Sequence, residues 1–277
     1  MIDVGLTSVA EHPQLSATGK STSTLVDYAQ YFPVVELDTT FYGLKSPDVV
    51  RRWQEQVPPQ FQFIVKATGM MTGQTKMDED SPTLPEQFQA LESSLQPLIQ
   101  SKQLRAILFQ MPPFFGVNQK SVRYLRLVRQ LYPTLPVAIE FRHDSWYSDV
   151  YRQSTLDLLQ HLNFIHVVVD EPQTVSGSVP LVPVATNSEL TIMRLHGHNL
   201  VGWANRSAQW RKERTNYRYA TDELTHLGEI AQQLTSKQVT VIFNNNGGGD
   251  AADNALQFID LLGLHFDHLG PRQMGLF

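Results

Sequence analysis

Short apolar runs rich in β-branched residues recur along the chain, and longer segments with helical periodicity lie between most of them. These runs predict eight strands, over residues 2–5, 34–37, 61–66, 106–110, 137–140, 165–170, 190–195 and 239–243. Among the intervening segments, Leu224, Leu227 and Ile230 recur at spacings of three residues, which is typical of a helix with one buried face.

The strands are apolar along nearly their whole length, which indicates a parallel sheet covered on both faces. Eight such strands alternating with helices predict a single (β/α)8 barrel of the TIM type, formed as one domain by residues 1–277. No Gly-x-Gly-x-x-Gly follows the first strand, which argues against a dinucleotide-binding sheet. Residues 171–189 contain three prolines and little helical periodicity, so an irregular crossover is predicted between strands six and seven. The longest predicted loop, 196–221, has a length that is commonly functional.

Composition and charge narrow the range of functions. The formal net charge of -5 gives no overall attraction to nucleic acid or to anionic membranes. The chain has no cysteine, which excludes disulfides, thiolate metal sites and a cysteine nucleophile. No basic region precedes an apolar run at the N-terminus, and no apolar stretch approaches the ~20 residues of a membrane-spanning helix. We therefore expect a cytoplasmic protein without a membrane partner.

Polar and charged side chains stand at the end of almost every predicted strand. In a βα barrel, the C-terminal ends of the strands face the functional site. The side chains expected to converge there are Glu36, Lys66, Gln110, Glu140, Arg142, Asp170, Arg194, His196, Asn244 and Asn245. Buried charges are costly unless they are paired, so one interpretation is a salt-bridge network that serves stability alone. Their convergence at one end of the barrel favours a binding or catalytic site.

The same side chains could form an acid–base site for an anionic ligand. Glu140 would act as general acid or base and His196 as a proton shuttle, while Arg142 and Arg194 would clamp the anion. The remaining candidates are the acids Glu36 and Asp170, the cations Lys66 and Arg218, the amides Gln110, Asn244 and Asn245, and the stacking rings of Tyr42, Trp146 and Tyr217. The leading hypothesis is an enzyme, a hydrolase or isomerase, that acts on a phosphosugar or nucleotide at the C-terminal rim.

Two other functions fit these residues. Residues 203–219 mix aromatic and basic side chains, which suits a protein that binds a nucleotide or single-stranded nucleic acid without catalysis. Alternatively, Glu140, Asp170 and His196 could hold a divalent ion in a metal-dependent phosphodiesterase or sugar isomerase, with His198 close by. The sequence lacks the established metal motifs, so no metal ligand is assigned. The cofactor and the oligomeric state stay open.

Two acidic side chains are expected to have local structural roles. Asp144 is predicted to cap the turn that follows strand five. Asp250 is predicted to be the N-cap of the last helix. Together with Asp253, it argues against a phosphate cradle in the glycine-rich stretch 247–249, because two carboxylates would repel a phosphate.

Several ordered motifs resemble those of one family. They are Val35-Glu36-Leu37-Asp38-Thr39-Thr40-Phe41-Tyr42, Leu108-Phe109-Gln110-Met111-Pro112-Pro113-Phe114, Glu140-Phe141-Arg142-His143-Asp144-Ser145-Trp146, Arg194-Leu195-His196-Gly197, Tyr217-Arg218-Tyr219 and Phe243-Asn244-Asn245. The chain thereby resembles the YecE-like proteins, which are defined by domain of unknown function 72. The resemblance implies a TIM-type barrel and a cytoplasmic bacterial protein, and it implies no established activity. One element departs from the family, because Gly5-Leu6-Thr7-Ser8-Val9 lacks the second glycine and the tryptophan usual in that strand. An aromatic wall is therefore expected to be missing on that side of the mouth.

Overall fold

The computed structural model describes residues 1–16, 19–174, 178–204 and 210–271, with the backbone alone at 210 and 211. The strands are β1 (Ile2–Thr7), β2 (Val34–Leu37), β3 (Gln62–Lys66), β4 (Leu104–Gln110), β5 (Val137–Glu140), β6 (Ile165–Asp170), β7 (Leu190–Leu195) and β8 (Gln238–Phe243). The α-helices are α1 (Leu25–Tyr28), α2 (Thr39–Tyr42), α3 (Pro47–Glu55), α4 (Leu84–Gln100), α5 (Gln119–Leu131), α6 (Arg152–His161), α7 (Leu200–Ala204), α8 (Trp210–Arg214), α9 (Thr221–Gln233) and α10 (Ala251–Leu261).

The eight strands form a closed parallel barrel in chain order, in which β8 pairs with β1. All eight predicted strands are present, and their ends differ from the prediction by two residues at most. The described residues between β6 and β7, 171–174 and 178–189, form neither helix nor strand. The irregular crossover stays a prediction for this connection as a whole, because 175–177 lie outside the described residues. The assignment of 1–277 to one domain also stays a prediction.

The register of the strands decides which polar side chains meet inside the barrel. Gln110 of β4 pairs with Glu140 of β5, and Val169 of β6 pairs with Arg194 of β7. Paired residues point to the same face of a sheet, and neighbours along a strand point to opposite faces. Asp170, the neighbour of Val169, therefore points away from the face that carries Arg194. This placement separates two residues that the sequence assigned to one site.

A buried histidine ties the β6–β7 connection to the barrel. The Nδ1 atom of His166 lies 2.8 Å from the carbonyl oxygen of Val184, and its Nε2 atom lies 2.7 Å from the hydroxyl of Tyr147. A carbonyl only accepts, so Nδ1 carries the proton and Nε2 accepts from Tyr147. Burial lowers the pKa of His166 to about 4, which keeps the imidazole neutral near pH 7.

The opposite end of the barrel is crossed by an ion pair, in which Arg105 Nη2 of β4 lies 2.7 Å from Asp3 Oδ2 of β1. The predicted cap after β5 is wrong. Nδ1 of His143 accepts from the backbone N–H of Ser145 at 3.1 Å, and Asp144 is the first residue of the short 3₁₀ helix Asp144–Tyr147. None of the helices in the described residues has both the length and the apolar character required to cross a bilayer.

Candidate functional site

A cavity of about 900 Å³ opens where the strands end at their C-termini. Its volume lies within the range of small-molecule sites. Six of the side chains proposed from the sequence line it, namely Tyr42, Lys66, Gln110, Arg142, His196 and Asn244. The cavity therefore lies at the rim where the sequence predicted a site.

Arg194 and two carboxylates form a sealed layer below this cavity. Arg194 Nε lies 2.8 Å from Glu36 Oε2, and its Nη2 lies 2.6 Å from Glu36 Oε1. Its third nitrogen, Nη1, donates to Glu140 Oε2. All three side chains are buried and do not line the cavity. Arg194 is thus occupied as the counter-ion of two acids, and this arrangement does not support its predicted role as an anion clamp.

Glu140 accepts hydrogen bonds from two side chains that line the cavity, Gln110 and Arg142. Its Oε1 accepts from Gln110 Nε2 at 2.7 Å and from Arg142 Nη1 at 3.0 Å. Burial would raise the pKa of Glu140, but the charge of Arg194 and the surrounding donors hold it well below its usual value. Glu140 therefore stays ionised, with both oxygens occupied. It orients its neighbours, and its surroundings do not support the predicted role in proton transfer.

The buried layer contains more acids than bases. Glu171 Oε2 lies 2.8 Å from Arg142 Nη1, so three carboxyl groups share two guanidinium groups. Burial raises the pKa of Glu36 to about 7, against the opposing effect of Arg194, and burial also raises the pKa of Glu171. Burial thus opposes the ionisation of Glu36 and Glu171, and the guanidinium groups of Arg194 and Arg142 act against this effect.

Arg142 connects this layer to the cavity. Its hydrogen bonds run from Nη1, to Glu140 and to His196 Nε2 at 3.2 Å. Among the described residues, neither Nε nor Nη2 has a hydrogen-bond partner, and the side chain lines the cavity. One edge of the guanidinium is therefore fixed from below, while the other has N–H groups that a ligand can bind.

His196 lies beside Arg142 as a neutral base. A guanidinium only donates, so His196 Nε2 accepts from it, and the proton lies on Nδ1. The Nδ2 atom of Asn244 lies 2.7 Å from His196 Nδ1, and exchanging the nitrogen and oxygen of this amide would give the Nδ1 proton an acceptor. Burial lowers the pKa of His196 to about 3, and the charges of Arg142 and Arg194 contribute in the same direction.

The cavity wall carries further cations and rings. Lys66 Nζ lies 3.6 Å from Asp38 Oδ2 and 5.0 Å from the centre of the Phe41 ring. On another side, the guanidinium carbon of Arg142 lies 5.0 Å from the centre of the Trp203 ring, and that of Arg214 lies 3.6 Å from it. Lys212 also lines the cavity. The mouth therefore combines several positive charges with flat aromatic surfaces.

Asp170 and Tyr217 belong to a second cluster, which lies outside the barrel. His198 Nε2 is 2.9 Å from Asp170 Oδ1, and His198 Nδ1 is 3.0 Å from Glu223 Oε1. Tyr219 donates to Asp170 Oδ2 at 2.6 Å, and Tyr217 donates to Glu223 Oε1 at 2.7 Å. The hydrogen bonds to Asp170 raise the pKa of His198. The cluster fastens both ends of the segment that carries α7 and α8, and its acids do not reach the cavity.

Three other predicted residues also lie away from the cavity. Asn245 is buried and donates to the carbonyl of Tyr217 at 2.9 Å. Arg218 is exposed, and its Nη1 lies 2.7 Å from Asp250 Oδ1. Trp146 is buried, with its ring stacked 4.2 Å from that of Phe141. Asp250 occupies the N-cap position of α10 but makes no capping hydrogen bond with its side chain. Its carboxylate binds Arg218 instead, so this part of the prediction is corrected.

The geometry separates the residues proposed as metal ligands. Glu140 and His196 belong to the layer under the cavity, whereas Asp170 and His198 belong to the outer cluster. Among the described residues, no three His, Asp or Glu side chains form a group suited to a metal ion. The donor set present therefore does not fit the metal-dependent hypothesis.

Glu171 and Asp38 were not recognised as site residues from the sequence. Glu171 follows Asp170 directly, and only the register with β7 shows that Glu171 is the acid that reaches Arg142. Asp38 follows β2 by one residue and lines the cavity beside Lys66. Alternation along the strand, counted from Glu36, would have indicated that Asp38 shares its face.

The barrel and its cation-lined mouth define an α/β barrel protein with a polar cavity at the C-terminal rim. The chain belongs to the family described as "Protein of unknown function DUF72", whose model matches residues 4–275. The protein is 40% identical to the UPF0759 protein YunF of Bacillus subtilis (strain 168), in an alignment of 287 residues that covers 100% of both chains. It is 26% identical to the UPF0759 protein YecE of Escherichia coli (strain K12), over 84% of this chain and 88% of that one.

A solved structure agrees with the fold. The crystal structure of a DUF72 family protein (EF0366) of Enterococcus faecalis V583 has a TM-score of 0.93 and 42% identity, and it covers 99% of this chain and 100% of that chain. The family resemblance inferred from the motifs is thereby confirmed. The relatives are bacterial, and the names they carry assign no activity.

Proposed function

We propose that the protein is an enzyme that binds a small polar anion, a phosphosugar or a nucleotide, in the cavity at the barrel rim. The observation that carries the proposal is the position of Arg142. Its Nη1 is fixed by buried Glu140, and its Nε and Nη2 have no hydrogen-bond partner among the described residues. A planar pair of N–H groups held in this way matches the oxygens of a phosphate or carboxylate.

The charges around the cavity support an anionic ligand. Four cations line it, Lys66, Arg142, Lys212 and Arg214, against the two acids Glu11 and Asp38. Burial lowers the pKa of Arg214 to about 10, and the like charge of Arg142 adds to this effect. Two guanidinium groups held close together repel each other, and a bound anion would relieve that repulsion.

We assign proton transfer in this site to His196. It is the neutral imidazole that lines the cavity, whereas Glu140 and Glu36 are covered by Arg194. A ligand anion on the Nε–Nη2 edge of Arg142 would offset one of the charges that lower the pKa of His196, so Nε2 becomes a stronger proton acceptor when its contact with Arg142 Nη1 opens. A hydrolase or an isomerase needs such a base beside an anion clamp.

Thermal-shift measurements with phosphosugars and nucleotides test the proposal. A ligand at about 100 times its Kd stabilises the native state by ~2.7 kcal/mol. We expect a stabilising ligand for the wild type, a smaller shift in Arg142→Lys, which keeps the charge but loses the fork, and a smaller shift in Arg214→Ala. Arg51→Ala, at an exposed arginine on α3, is the matched control and should behave as the wild type.

Two results would contradict the proposal. One is that no compound of either class shifts the melting temperature of the wild type. The other is that Arg142→Lys and Arg214→Ala respond to the ligand as strongly as the control does. For a ligand that binds, turnover by the wild type and its loss in His196→Gln would distinguish an enzyme from a non-catalytic nucleotide-binding protein.

A further inference from the structure

Most of the well-exposed large apolar side chains follow the C-terminal ends of strands. In the described residues, seven large apolar side chains are at least half exposed, and six of them lie in connections that follow the C-terminal ends of strands. These six are Tyr42, Met77, Phe114, Val150, Leu200 and Val201. Isolated exposed apolar residues are ordinary, but Tyr42 lines the cavity and Phe114 follows Pro113, which also lines it, so these two can extend a binding surface beyond the cavity.

Two aromatic rings stand at the lip of the cavity. Tyr42, after β2, lines the cavity and is 71% exposed. Phe114, after β4, is 74% exposed and follows Pro113, which also lines the cavity. A ligand enclosed by the cavity would leave most of both rings in water. Their exposure therefore fits a ligand that continues outward from the cavity over the lip.

The mouth carries both rings and cations. The rings of Phe41, Tyr42 and Phe114 follow β2 and β4, and Lys66 of β3 lies beside Phe41. The cations Arg142, Arg214 and Lys212 come from the β5 and β7 connections, and the ring of Trp203 lies beside the two arginines. A molecule that fits this mouth has both phosphates and flat rings. Unpaired bases stack on exposed aromatic rings regardless of sequence, while cations follow the phosphates.

We infer that the substrate is a nucleotide unit within a single-stranded nucleic acid. One nucleotide enters the cavity, and neighbouring bases stack on Tyr42 and Phe114. This inference rests on the proposed function and narrows its ligand. From the segment 203–219 it uses Lys212 and Arg214, which line the cavity, and not Arg218 or Tyr217, which are paired with Asp250 and Glu223. The net charge of the chain, -5, requires that binding depend on these local contacts.

Fluorescence anisotropy with labelled 12-mer single strands of DNA and RNA tests the inference. We expect the wild type to bind a single strand more tightly than a mononucleotide and more tightly than a duplex of the same sequence. Phe114→Ala should weaken strand binding about 5- to 150-fold, and Tyr42→Ala should do the same. Added salt should weaken binding further. Leu261→Ala, at an exposed apolar residue of α10, is the matched control and should bind normally.

The outcomes separate this inference from the proposed function. If mononucleotides stabilise the wild type but strands bind no more tightly, the inference is overturned and the proposed function stands. If neither binds and no phosphosugar does, both fail. If strands bind equally well to Phe114→Ala, Tyr42→Ala and the control, the inference is also overturned. If anionic phospholipid vesicles, and no strand, bind in a way that depends on Phe114, the face is a membrane surface instead. Because Phe114 is 74% exposed, the melting temperature of unliganded Phe114→Ala should equal that of the wild type, which shows that the variant is folded.

Discussion

Removing the charge of Glu140 tests whether the buried ion layer holds the mouth of the barrel together. Glu140→Gln keeps the shape of the side chain, but it removes the one carboxylate that accepts from both Arg142 and Arg194 in a site without solvent. Removing one partner of a buried ion pair costs about 3–5 kcal/mol. An unfolding entropy of about 2.1 cal/mol/K per residue gives about 0.6 kcal/mol/K for this chain, so the melting temperature should fall by about 5–9 °C.

Circular dichroism at fixed pH measures this fall, with urea denaturation to obtain the free energy of unfolding. Glu229→Gln is the matched control, because Glu229 is exposed and lies 3.9 Å from His226, a pair of the kind that contributes little. The reasoning is refuted if Glu140→Gln melts within about 1 °C of the control, since an interaction of several kcal/mol would shift the midpoint further.

The remaining predictions concern pH and one buried amide. His166 and His196 have pKa values of about 4 and about 3 in the folded protein, against 6.5 in the unfolded chain. Stability is therefore highest above pH 6.5 and falls as the pH drops, because the unfolded chain takes up protons that the folded protein does not. Keeping each imidazole neutral in the folded protein lowers the free energy of unfolding by about 2 kcal/mol at pH 5. His166→Gln should therefore flatten the pH dependence of the free energy of unfolding measured in urea. The pKa of His198 is raised, so its contribution to stability has the opposite pH dependence. This contribution is fully present below pH 6.5 and is lost as the pH rises through the folded-state pKa of His198. Asp170→Asn should return the imidazole pKa, followed by NMR, toward 6.5. Asn254→Ala removes an amide that bonds two peptide groups of the segment before α9, and urea denaturation should show a loss of about 1–3 kcal/mol.

Controls for these predictions use the same measurements. An exposed histidine variant, His226→Gln, should leave the acid limb of the stability curve unchanged. A His166→Gln protein with the full wild-type dependence between pH 7 and 5 would show that His166 is not held neutral by burial. An unchanged imidazole pKa in Asp170→Asn would contradict the assignment of Asp170 as the main partner of His198.

The barrel could be predicted from the sequence because its strands are buried on both faces. Largely apolar runs such as 165–170 and 190–195 are unlike the alternating pattern of a half-exposed sheet, and turns and helices separate them regularly. The polar residue that ends each run could therefore be placed at one end of the barrel. This much depends on local pattern and on the parallel arrangement alone.

The partners of those polar residues could not be predicted in the same way. Asp170 and Glu171 are adjacent in the sequence, and the register of β6 against β7 decides which of them points into the barrel toward Arg142. The sequence predicts Arg218 to be a ligand-binding cation, whereas in the structure its guanidinium is paired with Asp250. Trp146 was placed at the rim by its position after β5, but stacking on Phe141 buries it. Each case depends on contacts between segments that are distant in the chain.

The most direct test of the central claim is the NMR signal of the Arg142 Nε–H group. The signal is identified by its loss in Arg142→Lys, in protein labelled with ¹⁵N at arginine, and followed while adenosine monophosphate or glucose 6-phosphate is added. The account predicts that the Arg142 signal shifts with ligand concentration, while that of exposed Arg51 stays in place. An Arg142 signal that does not move, while a ligand binds elsewhere or none binds, would contradict the claim that this guanidinium is the anion site of the barrel.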